Sequence, residues 1–169
     1  MNQYILMLII IVIIAVISLN NSIEDLKKRS ENCWEQMISD LDKRLDCTYK
    51  AFNIIKSDNS AQMESIEEAA EKIRKSVDIY ERKEGEKLLN SVIRNMYVLV
   101  QKNDKLQHNM ELEQLVNEIR NLKDKINNSA EFYNDLADKY NKKIETFPTS
   151  ITAAVLKLKK IDNFNCDTY

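Results

Sequence analysis

The stretch from Glu131 to Pro148 reads EFYNDLADKYNKKIETFP. It places Tyr133, Tyr140 and Phe147 seven residues apart, with Asn134 and Asn141 directly after the two tyrosines. Phenol hydroxyls and carboxamides both donate and accept hydrogen bonds, so this set has two uses. It can hold a small polar ligand between helices. It can also satisfy partners across a packed seam and fix the register of that seam. Catalysis would need a nucleophile beside a base, and no His, Cys or carboxylate pair converges on this stretch in the sequence. The packing reading is the plainer one, because buried polar groups usually pair within the protein.

The other chemistry-bearing groups are sparser. Asp40, Asp42 and Asp46 lie beside Lys43 and Arg44. An acid–base cluster is conceivable there, but at these spacings such residues more often form i,i+3 and i,i+4 surface pairs. Arg44 and Asp46 are two apart and cannot pair directly along one helix. Glu67, Glu68 and Glu71 with Lys72, Arg74 and Lys75 read as a solvated face. Cys33 and Cys47 stand two heptads apart and read as small apolar residues on one helix face. With Cys166 they make three, none in a CxxC pair, which suits a reducing compartment. His108 is the chain's single histidine, expected in a loop or at a helix end. These counts point to no metal, no cofactor and no enzyme, and a chain with one glycine has no Gly-rich phosphate loop.

Helices must position these groups. Only Gly85 and Pro148 represent the two types on which tight turns depend, so long helices with short polar connections are expected. Four apolar stripes step by three or four residues. The first runs from Ile23 through Trp34, Met37, Leu41 and Leu45 to Ile55, and ends at Ser57-Asp58-Asn59-Ser60. The second runs from Met63 through Ile73 and Val77 to Tyr80, with a break at Glu84-Gly85. The third runs from Leu89 to Val100 and closes at Lys102-Asn103-Asp104. The fourth runs from Leu112 to Phe147 and stops at Pro148. Beyond it, Thr149 or Ser150 can cap a short helix with Ile151, Ala154, Val155 and Leu158 on one face. Docking of that face on the bundle is the plainer expectation, and an interfacial membrane helix the other.

The first 19 residues differ in kind. Tyr4 to Leu19 reads YILMLIIIVIIAVISL, in which only Ser18 is polar. Met1 to Leu19 reaches the length of a bilayer span. Residues 1–3 lack the basic group of a signal peptide and no Ala-x-Ala follows, so an uncleaved anchor is expected. Lys27, Lys28 and Arg29 follow the apolar run, which by the positive-inside rule puts the N-terminus outside and the rest in the cytoplasm. The net charge of −2 gives no basic field for nucleic acid. The expected fold is all-α: an N-terminal transmembrane helix (1–19), an elongated antiparallel four-helix bundle with a short C-terminal helix (20–160), and a flexible tail (161–169).

Several of these positions together form a recognisable pattern. They are Tyr133-Asn134, Tyr140-Asn141 and Phe147-Pro148, then Ala153 and Phe164. Upstream stand Leu106, Asn109, Leu115 and Ile126. The first helix adds Trp34, Leu41, Arg44 and Asp46, and Asn21 follows the anchor. This pattern resembles the LemA family of bacterial, single-pass, membrane-anchored helical proteins. Departures are Tyr49-Lys50 where the family has Pro-Asn, Lys123 and Ala130 where it has Glu and Arg, and Lys157 where it has Gly. The resemblance implies packing roles for Trp34, Phe147, Pro148, Ala153 and Phe164, and contacts of Arg44 and Asp46 to other helices. It also implies an anchored bundle on the cytoplasmic side, with the anchor in the bilayer. The expected role is a membrane scaffold that recruits unidentified protein partners. Two rivals stand beside it: a ligand sensor with a pocket near Tyr140 and Asn141, and an envelope or phage-lysis spacer of opposite topology.

Overall fold

A computed structural model describes residues 2–55, 60–75 and 79–164, and all its regular elements are helices. Helix α1 spans Asn2–Ile55, α2 Ser60–Lys75, α3 Ile79–Lys102, α4 Asp104–Gln107, α5 Met110–Glu145 and α6 Thr149–Val155. The expected turn at Ser57-Asp58-Asn59, Val77 of the second stripe, and Cys166 all lie outside the described residues.

Helix α1 joins two different surfaces without a break. Its first part is apolar all round and exposed: Ile5, Leu8, Ile11, Ile14 and Ile17 are each about half exposed or more. From Ile23 onward it carries a single buried stripe, with Met37, Leu41 and Leu45 fully enclosed. A helix apolar on every side belongs in lipid or in a large core, and this segment is long and apolar enough to cross a membrane.

The chain separates into two compact units. The first comprises Met1–Trp34 with Phe132–Asn163. Within it, α1 from Ile23 onward, the end of α5 and α6 share a cluster of Ile23, Tyr140, Ile144 and Ala153, with Leu26, Leu158 and Ile161 packed against it. The second comprises Glu35–Glu131 and Phe164–Tyr169. Its interior takes one face from each element: Leu41 and Leu45 from α1, Ile66 and Ile73 from α2, Leu89 and Met96 from α3, Ile119 and Ile126 from α5.

The ends of the elements follow local chemistry. Asn103 caps α4, its side chain accepting from the Lys105 N–H. Asn109 does the same for α5, accepting from Leu112 N–H at 3.0 Å. His108 lies between them, exposed, with Nδ1 2.8 Å from the Asp104 carbonyl. Helix α6 ends in a Schellman motif: Leu158 N–H reaches Ala153 O, Lys157 N–H reaches Ala154 O, and Lys157 takes a φ of 51°. That backbone normally selects glycine, and here a lysine holds it.

Three expectations need correction. The second helix does not run through to a break at Glu84-Gly85. Helix α2 ends at Lys75 and α3 is already formed at Ile79, so Gly85 lies inside α3. The glycine serves an approach between helices: a Cβ there would stand 2.8 Å from Ile73 Cγ1 and 3.1 Å from the Ile73 backbone nitrogen. Helix α6 buries Thr149 and Ala153, and the face of Ile151 and Val155 expected to dock is exposed. The tail expected to be loose from residue 161 is held at its start. Ile161 is hydrogen-bonded to Asn141, Asp162 to Tyr133, and Phe164 is fully buried.

Candidate functional site

In the first unit, α5 presents Tyr133 and Asn141 to the segment after α6. Asn141 uses both ends of its amide: Nδ2 donates to the Ile161 carbonyl at 2.8 Å, and Oδ1 accepts from the Ile161 N–H at 2.9 Å. This copies a strand-like pairing, with a side chain standing in for backbone. Tyr133 Oη donates to the Asp162 carbonyl at 3.1 Å, and Asn163 donates to Asp138 at 3.0 Å. The segment after α6 has no regular structure, so side chains of α5 satisfy its backbone groups. The Tyr133 ring packs on Trp34, centroids 5.4 Å apart and tilted by 39°. Burial raises the Tyr133 hydroxyl above its ordinary value, with Asp162 and Cys33 adding to the shift. Tyr140 is enclosed in the cluster with Ile23, and burial, then Glu31, raises its hydroxyl also.

The predicted members of this set therefore divide. Tyr133, Tyr140, Asn141, Trp34 and Ala153 come together in one packed region. Asn134 is half-buried. Phe147 does not join them: α5 ends at Glu145, and Phe147 is 77% exposed. Its expected packing role is corrected on that ground. Phe164 is buried and is counted with the second unit.

The second unit carries the charged constellation. Arg44 on α1 is 3% exposed and donates through Nη1 to Glu86 Oε2 on α3 at 2.7 Å. Its Nη2 donates to Asn90 Oδ1, one turn further along α3. Both charges of the pair are enclosed. Burial raises the Glu86 carboxyl above its ordinary value, and Arg44 pulls the other way. Arg44 Nε and Glu86 Oε1 are buried with no hydrogen-bond partner among the described residues. Asp46 points elsewhere, to an exposed pair with Arg74 of α2, so Arg44 and Asp46 do reach different helices. Asp40 departs from the surface-pair expectation. It is fully buried, with Oδ1 3.0 Å from Lys125 Nζ on α5 and 3.8 Å from Lys43 Nζ. Its other oxygen has no hydrogen-bond partner among the described residues.

Beside Arg44 a cavity of about 140 Å³ opens, lined by Arg44, Asn90, Arg94, Tyr97, Arg120 and Lys123. Ile93 and Ile119 close its apolar side. The carboxylate of Glu86 faces Arg44 Nη1, and the lining itself carries three guanidinium groups and an ammonium. Periodicity gives no sign of this arrangement, because Arg94 lies on α3 and Arg120 and Lys123 on α5, outside the apolar stripes. Only the assembly of α1, α3 and α5 brings them together.

Two thiols lie among the described residues. Burial raises the Cys33 thiol, and burial followed by Glu118 raises Cys47, so neither is activated toward nucleophilic or redox chemistry. Among the described residues no group of His, Cys, Asp and Glu is arranged to hold a metal ion.

Comparison with known proteins gives one result. The model of the LemA family matches residues 33–169, most of the chain, and the chain belongs to that family. No curated protein and no solved structure matches it.

Proposed function

We propose that this LemA-family chain is a membrane-tethered helical module that recruits a protein partner to the bilayer surface and has no catalytic role of its own. Residues 1–19 are the anchor, and α1 beyond residue 20, α2, α3 and α5 form an antiparallel four-helix bundle. The N-terminus lies outside and the bundle in the cytoplasm, as the Lys27, Lys28 and Arg29 cluster after the anchor favours. The observation that carries the reading is the continuity of α1. The apolar segment and the amphipathic stripe are one helix from Asn2 to Ile55, so a partner held on the bundle is held at the membrane.

The test combines topology and capture. A photo-crosslinking residue is placed at Arg94, at Asn121 or at Tyr80, each exposed, in the full chain in its own membranes. A membrane-impermeant maleimide is scored at Lys105→Cys in a chain lacking Cys33, Cys47 and Cys166. The expected result is one discrete protein adduct and maleimide labelling only after permeabilisation. Labelling in intact cells would place the bundle outside and favour the envelope-spacer reading. A turnover activity of the purified chain that disappears in Asn141→Ala would remove the non-catalytic reading.

A specific observation favours a second reading, a module that responds to a small anion. The sensor pocket expected near Tyr140 and Asn141 is replaced by protein, since Asn141 is spent on Ile161. The cationic cavity beside Arg44 is the better place. Phosphate or a carboxylate would fit its guanidinium groups. Phosphate should then raise the melting temperature of the native chain, and Arg120→Gln should abolish the rise.

A further inference from the structure

We propose that Phe147, α6 and the turn that follows it lie in the headgroup layer of the bilayer that holds the anchor, as a second, peripheral membrane contact. The inference rests on the tether reading above. It starts from an exposure pattern that packing does not explain. Within ten residues, Phe147 is 77% exposed, Ile151 60%, Val155 76% and Leu156 60%. Single exposed apolar side chains are ordinary, whereas several large ones in one short stretch mark an interaction surface.

The position of this surface selects its partner. Helix α6 is held by Ala153, which shares a cluster with Ile23 of α1, and Leu158 packs on the same cluster with Leu26. Ile23 follows the last apolar residue of the anchor, Leu19, by four positions. At 1.5 Å per residue that is about 6 Å along the helix. The headgroup layer beyond the hydrocarbon core is about 5–7 Å thick on each side. A helix packed on Ile23 therefore sits at headgroup depth once Leu19 is at the edge of the hydrocarbon. That is the level at which interfacial helices bury their apolar faces.

The surrounding chemistry suits the same partner. Lys142, Lys157 and Lys159 are exposed beside the apolar side chains, and their long stems allow an ammonium group to reach lipid phosphate. Lys160 is paired with Glu145. Glu24, Asp25 and Asp162 are the acidic groups nearby, and Asp25 is drawn toward Arg29. Between α1 and the end of α6 a cleft of about 270 Å³ is lined by Asn20, Ile23, Glu24, Lys27, Leu156 and Leu158. Its apolar walls and polar rim match the junction of an acyl chain with its headgroup. A protein partner would need a reason to lie within 6 Å of the bilayer; lipid is already there.

The experiment uses the full chain in vesicles of phosphatidylcholine and phosphatidylglycerol. Cys33, Cys47 and Cys166 are replaced by Ser, and one cysteine is introduced in turn at Ile151, Val155, Ile10 or Asp135. Each carries an environment-sensitive fluorophore. Vesicles contain lipids with a nitroxide quencher either near the headgroup or deep in the acyl chain. The expected result is loss of most emission at positions 151 and 155 with the shallow quencher, at position 10 with the deep one, and at 135 with neither. Quenching at 10 with none at 151 or 155 would overturn the inference and leave the tether standing. No quenching at 10 would overturn the tether reading and this inference with it. A blue-shifted emission at 151 that no lipid quencher reduces would assign the surface to a protein and overturn the inference.

Discussion

Asn141 shows how much one side chain can hold when the backbone it meets has no partner of its own. Removing it in Asn141→Ala leaves both the N–H and the carbonyl of Ile161 unmatched at a half-buried position. We expect a loss of about 1–2 kcal/mol in the stability of that segment, concentrated locally because the segment has no ladder to share the cost. Amide exchange at Ile161 should accelerate by about tenfold or more, while exchange in the middle of α5 stays as it was. Uniform acceleration would mean the segment is integral to global folding. Glu86 gives a second test at this scale. Its folded carboxyl is raised by burial, so the folded state holds a proton more tightly than the unfolded chain. The native chain therefore loses stability as pH rises from the ordinary carboxylate value through the folded one. Glu86→Gln cannot ionise and keeps an acceptor for Arg44. Its stability relative to the native chain should improve as pH rises above about 4, the ordinary carboxylate value, read from denaturant midpoints. A decline would show that the attraction of Arg44 outweighs burial. The sequence made Asn141, Tyr133 and Arg44 legible as polar groups needing partners. The partners were not legible, because the residues that answer Tyr133 and Asn141 lie in an aperiodic segment and use only backbone atoms.

At the scale of elements, Gly85 sets two effects against each other. In an exposed helix interior, Gly→Ala gains about 1 kcal/mol from propensity. Here the new Cβ meets Ile73 Cγ1 at 2.8 Å, Lys72 Cβ at 3.0 Å and Ile73 N at 3.1 Å. The first contact can be relieved by a rotamer change. The other two, Lys72 Cβ and Ile73 N, no rotamer change can move, so they require the helices to separate. Overpacking of this kind costs about 1–3 kcal/mol, so Gly85→Ala should be destabilising by up to about 2 kcal/mol net, measured by thermal unfolding of the full chain in detergent. A stabilised variant would show that α2 and α3 are free to move apart. Reading Gly85 as a break was reasonable from local propensity alone. What overrode it was tertiary: a missing side chain lets α2 approach α3, and no one-dimensional pattern contains that distance. The start of α5 was easier, since the fourth stripe was read from Leu112, two residues inside it, whereas the four-residue α4 has no apolar stripe to announce it. Helix α6 lay between these cases. Its existence was readable after Pro148, yet its buried face was not, since Ala153 and Thr149 are small and the larger Ile151 and Val155 attract attention.

For the whole molecule, the apolar run that opens α1 is exposed at every described side chain from Gln3 to Ser18. The apolar window of α1 buries nothing inside the fold, while the buried cluster of the same unit begins at Ile23. Deleting residues 2–19 should therefore move the chain off the membrane and leave its unfolding midpoint within about 0.5 kcal/mol of the full chain in detergent, the range of changes that touch no core contact. The first effect tests the tether and the second tests the independence of the fold, and the two can fail separately. A shortened chain that stays fully in the membrane fraction would mean that other surfaces suffice for attachment. A shortened chain that unfolds would mean that the segment packs on something. Between these lies the outcome expected if α6 touches lipid. A few shallow apolar side chains with lysines give only marginal, reversible attachment, far from that of a transmembrane helix. The shortened chain should then partition weakly onto vesicles containing phosphatidylglycerol and come off as salt rises and screens the lysines. Replacing Ile151 and Val155 with Asp, both exposed, should remove that residue of binding at every salt concentration without changing the unfolding midpoint.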